Sequence, residues 1–309
     1  EEKTEEPLVL DRLSEWSLLR KIWDNSLKSV ETEHDWPRLY EHQTQRMLME
    51  GEMPGGIFGE ANQAKHIRVL KSWEKGLISA LETNWDTLAN NIFQFHFGGL
   101  REELVNNGIS GSYRFVRPPS LHFEYPAVSE AEKTSMEIHG KTEWWYTDDS
   151  KNWNCIYFCE RQSKEKDWLR HFLDVVILRE ANIIPDGASV TGLCVVAEGK
   201  GVSRKIILPT KEQSKEYLAA MVQEINNGNN TVLMPVESVL ELSKENLNGP
   251  EYNARFNEWM DRKLHHSSGN MGISSQYGPV KFLEDVPFPE NPYQLMISRF
   301  GLFFDTVST

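Results

Sequence analysis

Cysteine is scarce in this chain. Its 309 residues hold three, Cys155, Cys159 and Cys194, too few for a disulfide framework, which points to a reducing, cytoplasmic setting. Cys155 and Cys159 are spaced wrongly for a CxxC zinc clip, and no second pair completes four ligands, so they read as small buried side chains on a strand. No apolar run approaches the ~20 residues of a membrane span, and the first ten residues, EEKTEEPLVL, carry no signal-peptide pattern. The first residue is not Met, so the chain reads as a fragment of something longer. Also missing are GxxxxGKS or GxxxxGKT, GxGxxG after a strand, HExxH and GxSxG, which leaves no P-loop for ATP and no dinucleotide, zinc-protease or serine-hydrolase fingerprint. Basic excess is absent as well. A domain that grips DNA through phosphates alone carries more cations than anions, whereas the net charge here is −13. Contact with DNA must then come from a local basic surface or from a partner. GKGVSRK is one such stretch, with Lys200, Arg204 and Lys205, and Lys211 and Lys215 close behind.

What is present is an ordinary globular composition, 39% hydrophobic and 26% charged, long enough for a substantial core. The first third has helical periods. Trp16, Leu19, Trp23 and Leu27 recur at three- and four-residue spacing behind Ser14 as a cap. WPRLYEHQTQRMLMEGE predicts a second helix, with Pro37 in its first turn and Gly51 as its stop. A turn over Gly51–Glu60 leads to a long helix through Ile67, Leu70, Leu77, Leu81 and Leu88. The period then changes: Phe93, Phe95 and Phe97 alternate with Gln94 and His96, a strand with one apolar face. Further strands follow, then a helix in KEKDWLRHFLDVVILREAN, a hairpin in GLCVVAEGKGVSRKIILP turning at Glu198–Gly201, a helix in KEQSKEYLAAMVQEINNG and another in EYNARFNEWMDRKLHH. With no repeat and no linker, this order predicts one α/β (α+β) unit: a helical part over 1–91 and a mixed sheet flanked by helices over 92–309.

Chemistry concentrates in HGKTEWWYTDDSKNWNCIYFCER, residues 139–161, which reads as two strands and a polar turn. A Mg²⁺ nuclease of the restriction-endonuclease-like class needs a carboxylate on one strand and carboxylate-x-lysine on the next, all on one face. Glu143 can serve as the first acid. If Glu160 is the second, the lysine position holds the uncharged Gln162; if Arg161 is the cation, the acid position holds Cys159, not a hard-metal ligand. Neither register completes the site, so no catalytic residue, metal or cofactor is assigned, and EWWY (Glu143–Tyr146) reads more simply as an aromatic strand that packs. Glu143, Glu160 and Gln162 become a degenerate site only under a resemblance to a known family. Asp167, His171 and Asp174 share one helical face without a nucleophile and read as a solvated polar face. His265 and His266 are adjacent, so their side chains point apart, a poor metal site.

Several stretches resemble the C-terminal domain of the exodeoxyribonuclease V gamma subunit, RecC. EEPLVLDRLSEW is similar to the family's EPxxLDxLxxY opening, and LMEGEMPGGIFGE to its PxGxFGE turn, through Met53, Pro54, Gly55, Gly56, Phe58, Gly59 and Glu60. MEIHGKTEWW resembles its IxG strand, WLRHF (Trp168–Phe172) its WLxHL helix, and GNMG (Gly269–Gly272) its GNxx near the end. The order holds over nearly all 309 residues. The resemblance implies a restriction-endonuclease-like core without a working active site, in a non-catalytic module that guides double- and single-stranded DNA and contacts RecB-like and RecD-like helicase subunits. Lys200, Arg204 and Lys205 are then candidate contacts with DNA or a partner. The competing enzyme reading is a Mg²⁺-dependent nuclease using Glu143 and Glu160. AddB-like relatives keep such a nuclease, but with a four-cysteine iron–sulfur cluster that three cysteines cannot supply. The acidic balance disfavours a stand-alone DNA-binding protein.

Overall fold

In the computed structural model, which describes residues 10–28, 35–98, 115–116, 120–126, 133–147, 151–159, 164–226, 234–265 and 289–307, helix α1 (Arg12–Lys28) starts where Asp11 caps it. The Asp11 carboxylate accepts the backbone N–H groups of Leu13 (2.9 Å) and Ser14 (3.1 Å). Ser14, the expected cap, lies inside the first turn and donates its hydroxyl to Asp11; one acid three residues earlier satisfies both orphan donors. Helix α2 (Trp36–Met49) begins as its sequence predicts, with Asp35 accepting the Arg38 N–H at 3.1 Å and Pro37 in the first turn.

Helix α3 (Gly56–Ala80) starts earlier and ends sooner than expected. GIFGE is its opening rather than part of a turn. Two of the glycines there are required by geometry: Gly56 sits at φ +56°, and a Cβ on Gly59 would fall 2.6 Å from the Pro54 carbonyl oxygen. The chain breaks after Ala80, with Glu82 in the left-handed region, and Asn84 caps a separate α4 (Trp85–Asn91) by accepting the Thr87 N–H at 2.9 Å. Leu88 keeps the leucine period across this break because both helices bury leucines in one core.

The strands are β1 (Ile92–Phe97), β2 (Phe115–Val116), β3 (His122–Pro126), β4 (Lys133–Glu137), β5 (Gly140–Tyr146), β6 (Asn152–Cys159), β7 (Ser189–Val196) and β8 (Lys200–Ile206). Six form a mixed sheet in the order β2-β1-β5-β6-β7-β8. β1 runs parallel to β2 and antiparallel to β5, while β6 is antiparallel to β5 and parallel to β7. The predicted alternation in β1 fails at its middle. Its register against β5 shifts between Gln94 and His96, Gln94 is 2% exposed, and Phe93 is only half-buried. Burial of Gln94 is compensated: its amide donates to the Thr142 carbonyl (2.9 Å).

The described residues fall into two compact units. The first, within 1–118, 139–164 and 186–205, holds the six-stranded sheet and α1–α4. Its core is dense in tryptophan: Trp23 stacks on Trp36 at 5.4 Å and meets Trp73 and Trp85 edge-on at 6.2 and 6.4 Å, with the Phe158 ring 4.5 Å away. The second unit, within 119–138, 165–185 and 206–309, holds the β3–β4 hairpin, α5 (Trp168–Glu180), α6 (Lys211–Asn226), α7 (Val236–Leu242), α8 (Gly249–His265) and α9 (Pro292–Thr306). Phe172 of α5 packs on Tyr217 of α6 and Phe303 of α9, and Val239, Leu242, Phe256, Trp259 and Met296 join α7, α8 and α9. The fold is α+β, with a helical N-terminal part and a mixed sheet.

Candidate functional site

The two strands expected from residues 139–161 exist as β5 and β6, paired antiparallel with Trp144 opposite Ile156, Trp145 opposite Cys155 and Tyr146 opposite Asn154. This register aligns aromatic and aliphatic side chains, and all six except Asn154 are buried. Cys155 and Cys159 are buried on β6, as a structural reading of them requires.

Glu143 is the one candidate acid that the described residues include, and a cation already occupies it. Arg20 of α1 donates from Nη2 to its carboxylate at 2.6 Å, with side chains 16% and 13% exposed. The guanidinium also lies 5.6–5.9 Å from the ring centroids of Trp16, Tyr157 and Phe158, where an arginine gains cation–π attraction. Burial alone would pull the Arg20 pKa down; the carboxylates of Glu143 and Asp24 outweigh it and raise the pKa, so the group is fully charged. Asp24 completes the cluster by accepting the Trp144 indole N–H at 2.8 Å and lying 3.5 Å from the Lys141 amine. Chemically this is a carboxylate–guanidinium pair on an aromatic platform. Glu160, Arg161 and Gln162 lie outside the described residues. Among the described residues, no three His, Cys, Asp or Glu side chains converge as a metal site.

The three cations of GKGVSRK sit on β8, at the edge of the sheet. Lys200 and Lys205 are exposed and Arg204 half-buried. Strand alternation puts Lys200 and Arg204 on one face and Lys205 on the other, so the three do not form one patch. The turn before them is seated on α3: a Cβ on Gly76 would lie 2.9 Å from the Gly199 carbonyl carbon, and one on Gly201 2.5 Å from the Ala80 Cβ. Gly199, at φ +77°, makes the turn; Gly201 is there for the close approach of a helix.

His171 is fully buried against the Trp168 ring, centroids 5.1 Å apart, and does not belong to a solvated polar face. Tertiary packing of α5 overrides the polar spacing; the half-buried Asp167 and Asp174 flank it. His265 closes α8, and His266 and Gly269–Gly272 lie outside the described residues.

A second buried polar cluster has no signature in the sequence. Glu15 of α1 accepts from Lys65 (2.5 Å) and pairs with His66 Nε2 (2.9 Å) of α3, while His66 Nδ1 meets the Tyr40 hydroxyl of α2 at 2.9 Å. Burial raises the Glu15 pKa, but Lys65 and His66 overcome it and hold it below the ordinary value. Burial lowers that of His66 despite Glu15, and burial with Glu15 raises that of Tyr40. Its bonded pairs lie 26, 50 and 51 residues apart in sequence, which no spacing rule finds. It fastens three helices together around satisfied polar groups.

Residues 1–245 match the family model of the RecC C-terminal domain. The chain belongs to the RecC C-terminal domain family, which makes it part of a RecC-type subunit in a RecBCD-type complex. No curated protein matches it. No helix among the described residues is long and apolar enough to cross a membrane.

Proposed function

We propose that the chain is a non-catalytic, cytoplasmic domain that guides double- and single-stranded DNA and binds RecB-like and RecD-like helicase subunits during double-strand break repair. The observation that carries this reading is the Arg20–Glu143 pair: the acid a nuclease of this type would give to Mg²⁺ is neutralised by a buried guanidinium. In this reading the β5–β6 hairpin belongs to a restriction-endonuclease-like core that has lost its chemistry. Lys200 and Arg204 on one face of β8, and Lys205 on the other, are its proposed contacts with DNA or a partner surface.

Subunit binding is supported by apolar side chains around the turn that resembles the family signature. Leu48, Met49, Ile57 and Phe58 are 47%, 78%, 76% and 53% exposed, and exposed clusters of this kind mark protein interfaces. The domain is proposed to include residues beyond the family match, to 309, because Val239 and Leu242 inside the match share a core with Phe256, Trp259 and Met296 outside it. Co-purification of the subunit with its helicase partners tests the reading. Replacing Ile57 and Phe58 together by Asp should weaken assembly at least tenfold while leaving the thermal midpoint unchanged, since both side chains are exposed. Unaltered assembly by that variant would overturn the interface.

A further inference from the structure

α3 carries a basic face that the sequence reading did not single out. Ala64, Arg68, Lys71 and Lys75 recur at i, i+4, i+7 and i+11, so they share one side of the helix. All four are exposed, and with Ile67 and Ser72 they line a surface groove of about 360 Å³. Among the described residues no ion pair engages Arg68, Lys71 or Lys75. The acids of α3 are placed elsewhere: Glu74 accepts from the Trp36 indole at 2.7 Å, and Glu60 lies in its first turns. The β7–β8 turn packs on the same helix, with Gly199 against Ser72 and Gly76, and carries one anion, Glu198, and one cation, Lys200.

In a chain of net charge −13, three unneutralised cations along one helical face are an electrostatic exception. We propose that this face of α3 is a track for the phosphate backbone of a DNA strand, with Arg68, Lys71 and Lys75 each contacting a phosphate. The proposal rests on the reading that the domain guides DNA inside its complex. At 1.5 Å rise per residue the stripe spans about 10 Å, and phosphates recur every ~3.4 Å along one strand of duplex, so it covers roughly three nucleotides. No side chain there is planar and aromatic, so the track reads charge and not bases.

Two measurements on the reconstituted complex test this. The first replaces Arg68, Lys71 and Lys75 by Gln and follows affinity for a labelled forked duplex across salt. Neutralising about three phosphates fewer should make the slope of log K against log salt shallower by about 2 to 3, with assembly and thermal midpoint unchanged. The second places a photoreactive phenylalanine analogue at Ala64 and should capture DNA. An unchanged slope, or Ala64 crosslinks only to protein, would overturn the track; the latter would assign the face to an acidic partner. Failure to crosslink DNA from any position on the chain would instead remove the DNA-guiding reading on which the track rests.

Discussion

Glu143 and Arg20 are 123 residues apart in sequence and 2.6 Å apart in the fold. Removing one partner of a mostly buried pair strands the other charge. Glu143→Ala should therefore cost about 3 kcal/mol, read as a lower denaturation midpoint, and Glu143→Ala with Arg20→Met should recover much of it. Additive losses would show that the pair is not coupled. The Glu15–His66–Tyr40 cluster predicts a pH dependence whose sign follows from its pKa shifts. His66 is held below its ordinary 6.5, so the folded state binds fewer protons than the unfolded one. Its contribution is whole above that value and shrinks as pH falls. Glu15, held below 4.5, adds a second loss only at lower pH, as it protonates. Melting temperatures between about pH 7.5 and 5.5 should drop less for His66→Gln than for the native chain; equal drops would exonerate His66. None of these contacts is visible as a motif, because each joins residues brought together only by tertiary packing.

At the scale of elements, local chemistry was legible and long-range packing was not. Pro37 places the start of α2 in the sequence and lies in its first turn in the structure, where Asp35 supplies the cap. The β5–β6 pair followed from two short strand-like runs around a polar turn, and the β7–β8 hairpin from the glycines of its turn. Leu88 misled because its leucine period crosses the break that Asn84 makes. Gln94 misled because a register shift, a property of two strands together, decides its burial. The seat of the β7–β8 turn on α3 is another such pairing. Gly76 has Gly199 backbone 2.9 Å from where its Cβ would be, so even Gly76→Ala must push the turn off the helix. The expected cost is about 1–3 kcal/mol, measured by urea denaturation. A stabilised Gly76→Ala variant, as helix propensity alone would give, would show that the contact is loose.

For the whole molecule, the family was legible in the order of short stretches, MPGGIFGE above all, and residues 1–245 belong to it. Geometry explains that stretch: Gly56 and Gly59 are required where a turn runs straight into a helix. Of the candidate site, the sequence marked Glu143 on β5; it did not reveal that α1 supplies Arg20 to pair with it. Glu160 and Gln162 lie outside the described residues. The central claim is that the domain directs DNA and does not cut it. The most direct measurement incubates the purified chain with labelled duplex and single-stranded DNA in Mg²⁺ and in Mn²⁺. A domain that directs DNA without cutting it gives no product in the native chain, and none with Arg20→Ala. Divalent-dependent cleavage that disappears in Glu143→Ala or Glu160→Ala would contradict it.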